Sequence, residues 1–292
     1  MFSKKLVGAL AVLAATAVVP AAAAQIPEIG DPQPGPPIEL NLCNGQPADV
    51  VGTDGDDVLT ALDENGSVIL GKGGNDVIVG LDGADTICAG PGDNVVLPGN
   101  GSDTVFGGNE RDAVLELGTS GKDVISGADG DNVILSGRGD DEVTGGVNTD
   151  HIRTGPGADK VHAGQGDDKV LGGSGPDTFL HGDIGNDVVD GGGDQDDVFG
   201  GVGEDVLRGG GGRDLVHGGN DRDRMAGGPG NDSLFAGEGD DDLLGGPGDD
   251  PDLQGDEGND RLDGGPGSDT GCVGTDASDD DPVDVDVIRN CE

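Results

Sequence analysis

The chain of 292 residues has no Trp, no Tyr and only five Phe, so it lacks the large side chains from which an ordinary core of this size is built. Basic residues are scarce too: 15 Lys and Arg stand against 59 Asp and Glu, a formal charge of −44. Such a surface repels nucleic acid and anionic membrane and attracts cations. Beyond the first 24 residues no apolar run could span or penetrate a bilayer. There is no G-x-S-x-G elbow, no G-x-x-x-x-G-K-[ST] phosphate loop and no H-E-x-x-H helix, so no catalytic pattern stands out. Few aromatics with high charge normally mark a disordered chain. A repeat lifts this one out of that class.

The repeat is nine residues long. It reads GGSGPDTFL at 172–180, GGGGRDLVH at 209–217 and GGPGNDSLF at 227–235, or G-G-x-G-x-D-x-U-x with U apolar. It runs from Gly52 to Cys272 as about 24 units, with Leu70, Glu116, Leu117, His181 and Pro251 read as inserted residues. The eighth position is apolar and mostly branched, as at Ile78, Val105, Ile134, Val170, Phe179, Val198 and Leu234. One such residue in nine is buried only if units stack and share a thin interior. Two units then make one coil of strand, turn, strand, turn, with turns of alternate units stacked along opposite edges. The expected fold is all-β, a parallel β-roll solenoid.

Aspartate at the sixth position is the second regular element. It forms one file of Asp85, Asp103, Asp123, Asp141, Asp159, Asp177, Asp196, Asp214, Asp232, Asp250 and Asp269. The other file holds Asp57, Asp76, Asp112, Asp150, Asp168, Asp187, Asp205, Asp223, Asp241 and Asp260, interrupted by Asn94 and Asn132, while Gly66 takes the sixth place in the second unit. Carboxylates stacked about one strand spacing apart, ~4.8 Å, repel strongly unless a cation lies among them. Carboxylate and turn carbonyl oxygens together favour Ca²⁺ over the smaller, octahedral Mg²⁺. Pairs of neighbouring carboxylates set an upper bound of about 17 inter-turn sites. Glu64 and Glu110 at the usual fourth-position Gly predict weak sites, whereas Asn148, Asp194 and Asp221 there tolerate left-handed backbone.

These motifs resemble the repeats-in-toxin, or haemolysin-type, calcium-binding nonapeptide family over about three quarters of the chain. The ends, Cys43-Asn44-Gly45 and Asn290-Cys291-Glu292, are similar to those of secreted actinobacterial members. The resemblance implies a right-handed β-roll and multiple Ca²⁺ ions, held between turns 18 residues apart by the sixth-position Asp and by turn carbonyls.

Residues 1–24 read as a cleavable signal peptide for export: Lys4 and Lys5, an apolar run, then Ala22-x-Ala24. Its removal takes away those two lysines and shifts the charge from −44 to −46. A Pro-rich leader at 25–42, the roll at 43–272 and a C-terminal cap at 273–292 follow, with a short strand expected among Val283, Val285 and Val287. Cys43, Cys88, Cys272 and Cys291 suggest two disulfides. Of three connectivities, pairing within each cluster suits a solenoid whose ends lie far apart. His151, His162, His181 and His217 are scattered and outward, with His162 and His181 one coil apart. The reading is a non-enzymatic, secreted calcium-binding solenoid. A cell-surface adhesin or spacer is the alternative, and an accessory module of an extracellular enzyme a further one, against which the chain leaves no room for a catalytic domain. Any protein or glycan partner stays open.

Overall fold

Strands form at the x-U-x triplets, where branched residues favour extended backbone, and bend at the Gly-rich hexads between them. The computed structural model describes residues 41–62, 64–115, 121–274 and 287–291. The signal peptide, nearly all of the leader, Glu116, Leu117, Val283 and Val285 lie outside the described residues. From Val50 onward the strands alternate between two thirteen-stranded sheets. Both sheets are parallel throughout, each strand pairing with the next but one, as Val143 pairs with Val161 and Ile152 with Val170. In the regular coils successive partners stand 18 residues apart, so two nonapeptides make one coil. The chain is a parallel β-solenoid, as the period predicts.

The interior is a single apolar file from each sheet. Ile69, Ile78, Ile87, Val96, Val170, Val198, Leu234 and Leu262 are all fully buried, and the two files form one continuous cluster. Flanking residues of each triplet point outward, which is the period-two alternation of a strand with one buried face. Coils stack so closely that side chains are excluded at several turns. A Cβ at Gly139, where φ is +142°, would run into the carbonyl oxygen of Gly121 one coil earlier. Asn148, Asp194 and Asp221 do adopt left-handed backbone, with φ of 80°, 78° and 74°.

The structure corrects where two inserted residues are absorbed. Leu70 and His181 are ordinary ladder residues, paired with Cys88 and His162. The buried residue beside His181 is Leu180, while Phe179 lies half-buried on the outer face. The extra residue is therefore taken up between Asp177 and Leu180, where an exposed Thr178 loosens the strand start. In the second unit the turn before Ser67 takes up the extra residue, so Ser67, not Gly66, occupies the sixth place. Its N–H donates to Oδ1 of Asp85 at 2.6 Å.

Both ends are tied. A two-stranded antiparallel hairpin, Leu42–Cys43 with Gln46–Pro47, precedes the first coil, and Cys43 is bonded to Cys88. At the other end Val287–Arg289 adds to one sheet beside Arg261–Asp263, and Cys272 is bonded to Cys291. Pairing is thus within each cluster.

Candidate metal centre

Each coil contributes one sixth-position residue to each edge. Along the first edge the N–H of Asp85 donates to Oδ1 of Asp103 at 2.8 Å, Asp103 to Asp123 at 2.8 Å, and so on without a break to Asp250 and Asp269 at 2.9 Å. The second edge repeats this from Asp57 to Asp260. All the expected aspartates stand in these two ladders, and every one except Asp57 is buried. Asn94 and Asn132 do not interrupt the ladder, because an amide oxygen accepts the same hydrogen bond. Asp76 N–H reaches Asn94 Oδ1 at 3.0 Å and Asp112 N–H reaches Asn132 Oδ1 at 2.9 Å.

The second carboxylate oxygen is the chemically informative atom. Oδ2 of Asp103, Asp177, Asp196, Asp214, Asp232 and Asp250 on the first edge is buried and has no hydrogen-bond partner; the same holds for Asp150, Asp168, Asp187, Asp205, Asp223 and Asp241 on the second. A buried carboxylate oxygen without a donor is expensive. What would satisfy it is visible at Asn94, where Nδ2 occupies the equivalent corner and donates to the carbonyl oxygens of Gly90 and Gly92, both at 2.8 Å. Asn132 Nδ2 donates likewise to Gly130 O at 3.0 Å. An amide thus supplies donors toward turn carbonyls. An aspartate sets a second acceptor against those acceptors, and the mismatch needs a proton or a cation between them.

The electrostatics agree. Burial, partly offset by the ladder hydrogen bonds and reinforced by neighbouring carboxylates, pushes Asp150, Asp187 and Asp232 up to about 7 and Asp223 up to about 8. Asp159 and Asp241 rise to about 6 for the same leading reason. Among the described residues no three His, Cys, Asp or Glu side chains converge as a metal cluster. A cation at these edges would therefore draw much of its shell from backbone carbonyls, which suits a hard ion and flexible coordination.

Two features escaped the repeat pattern. Outside the buried ladder runs a second one in the opposite sense, made by fifth-position residues: Asn75 N–H donates to Asp56 Oδ1, Thr149 to Asp131 and Ala158 to Asp140, each about one coil back. The recurrence of Asp and Asn before the sixth position was its signal. On the outer face of one sheet His162, Phe179, His181, Phe199, His217 and Phe235 form a continuous ring stack, with successive centroids 4.8 to 5.6 Å apart. His181 and His217 are therefore half-buried between rings, not simply solvated. His162 and His181 do lie one coil apart, with centroids 6.2 Å apart.

A solenoid whose edges are files of buried, donor-starved carboxylates defines a class of repeat protein that takes up cations between its turns. The family model for the RTX calcium-binding nonapeptide repeat (4 copies) matches residues 66–96, 98–114, 117–152, 144–179, 178–207, 195–225, 217–250 and 252–275. The chain belongs to that family. It is a calcium-binding repeat protein, whose stacked Asp-rich turns can coordinate Ca²⁺ and rigidify the solenoid. No curated protein matches the chain. No helix among the described residues is long and apolar enough to cross a membrane.

Proposed function

We propose that the chain is exported and that Ca²⁺ binds along both edges, drawing its ligands from the sixth-position aspartates between Asp57 and Asp269 and from the carbonyls of their Gly-rich turns. The observation that carries this reading is the contrast between the unpartnered Oδ2 of aspartates such as Asp205 and the satisfied Nδ2 of Asn94. Bound Ca²⁺ supplies positive charge where the folded chain buries acceptors against acceptors. Because such sites exist only when coils are stacked, binding free energy becomes folding free energy. Affinities of roughly 10⁻⁴–10⁻³ M, usual for extracellular calcium modules, would leave the chain loose before export and order it afterwards.

The test is far-UV circular dichroism of the disulfide-bonded chain titrated with Ca²⁺, then chelator, with Mg²⁺ as control. A reversible gain of β signal with Ca²⁺ and not Mg²⁺ is expected. A chain with full β signal in chelator, unchanged by Ca²⁺, would overturn the reading.

A further inference from the structure

The second edge is not uniform along its length. Before residue 133 its acceptors are nearly all met by the protein itself. Asp57 Oδ2 accepts from Thr53 N at 2.6 Å and Thr53 Oγ1 at 2.9 Å. Asp112 Oδ2 accepts from Gly108 N at 2.6 Å. Asn94 and Asn132, each 1% exposed, close their own turns through Nδ2. Asp76 alone on this stretch keeps an unpartnered Oδ2. From Asp150 to Asp241 every sixth-position Oδ2 is unpartnered. On the opposite edge the same N-terminal coils begin with the neutral Ser67, whose Oγ accepts from Leu62 N at 3.3 Å, and Asp103 there keeps an unpartnered Oδ2, as Asp76 does on the second edge. The Cys43–Cys88 disulfide joins the hairpin to these coils.

We propose that Asn94 and Asn132 are built-in substitutes for the cation, and that the coils they close form a nucleus that stays folded without Ca²⁺. The calcium-dependent coils beyond Asp150 add to that nucleus when the ion arrives. This rests on the calcium reading above and adds to it where along the chain the ion is required. The physical reason is local. An amide accepts the ladder N–H through Oδ1 and donates through Nδ2 to the turn carbonyls, so its own corner of the interior carries no charge. The repeat architecture supplies the consequence, since each coil is stabilised mainly by its neighbours and an ordered end templates the next unit. Replacing either Asn with Asp would restore a carboxylate pair on both sides of it: Asp76–94 and 94–112 in one case, Asp112–132 and 132–150 in the other.

The test is hydrogen exchange by mass spectrometry on the full, disulfide-bonded chain in chelator and in Ca²⁺, with bound ions counted by native mass spectrometry. In chelator, peptides from 64–115 should exchange at least ten-fold more slowly than peptides from 150–260, and Ca²⁺ should remove the difference. The double variant N94D/N132D should lose the N-terminal protection in chelator, regain it in Ca²⁺ and bind more ions than the parent. Should that variant fail to fold, Asp150→Asn provides the converse: protection in chelator extends past residue 150 and ions are lost. Uniform exchange along the parent chain in chelator, with Ca²⁺ still bound and ordering it, overturns the nucleus alone. A parent chain that binds no Ca²⁺ overturns the calcium reading and this inference with it.

Discussion

Asp205→Asn should change sign with the solvent. Asp205 is 1% exposed, accepts from Asp187 N at 2.8 Å through Oδ1 and donates its own N–H to Asp223 at 2.8 Å. Its Oδ2 has no partner. An amide there keeps the ladder and, following Asn94, aims Nδ2 at the carbonyls four and two residues earlier, those of Gly201 and Gly203. Removing an unpaired buried acceptor is worth about 1–3 kcal/mol and each of the two new hydrogen bonds about 1 kcal/mol, so the variant should be about 3–5 kcal/mol more stable than the parent in chelator. With Ca²⁺ the same change removes a carboxylate from the junctions on either side. If each weakens tenfold, the loss is about 3 kcal/mol at saturating ion. Urea unfolding followed by circular dichroism in both solvents checks this. A variant that is less stable in chelator as well would refute the assignment of Oδ2 to a cation, and equal stability in both solvents would do the same.

Without ion, acidity should stabilise the roll. The folded-state values of about 7 for Asp150, Asp187 and Asp232 and about 8 for Asp223 lie above the ordinary 3.8, so their contribution is fully present below about pH 4 and is lost as pH rises through 7 to 8. A melting temperature in chelator that climbs with pH over that window would contradict this; in Ca²⁺, acid should instead expel the ion. Removing the Cys43–Cys88 bond, which spans 45 residues, should cost about 4 kcal/mol and removing Cys272–Cys291, which spans 19, about 3 kcal/mol, measured by urea unfolding of the double-Ser variants. Leu234→Ala, at a site with 0% exposure in the shared interior, should cost about 2–5 kcal/mol in Ca²⁺, whereas Phe235→Ala on the outer ring stack should cost about 1 kcal/mol from lost ring contacts.

Much of this protein could be derived from the nine-residue period alone. In a solenoid the neighbours of residue i are those one coil away, so a regular sequence writes its tertiary contacts directly. The burial of Ile78 and Val198, the paired sheets and the two files of sixth-position aspartates all follow from that periodicity and from the need to bury the one apolar position that recurs in every unit. The charge alone also pointed to cations, since so many stacked carboxylates cannot stand bare.

The period could not say where an irregular unit absorbs its extra residue. His181 and Leu70 look inserted by count, yet the ladder keeps both and loosens Thr178 and the turn before Ser67, because the ladder must seat an apolar residue inside: Leu180 for one, Ile69 for the other. Nor could the period show that Asn94 continues the ladder with one atom and closes its own turn with another. The carbonyls belong to its own turn, 2.8 Å away, but the way the amide faces them is set by the N–H of Asp76, which holds Oδ1 from the previous coil once the coils are stacked.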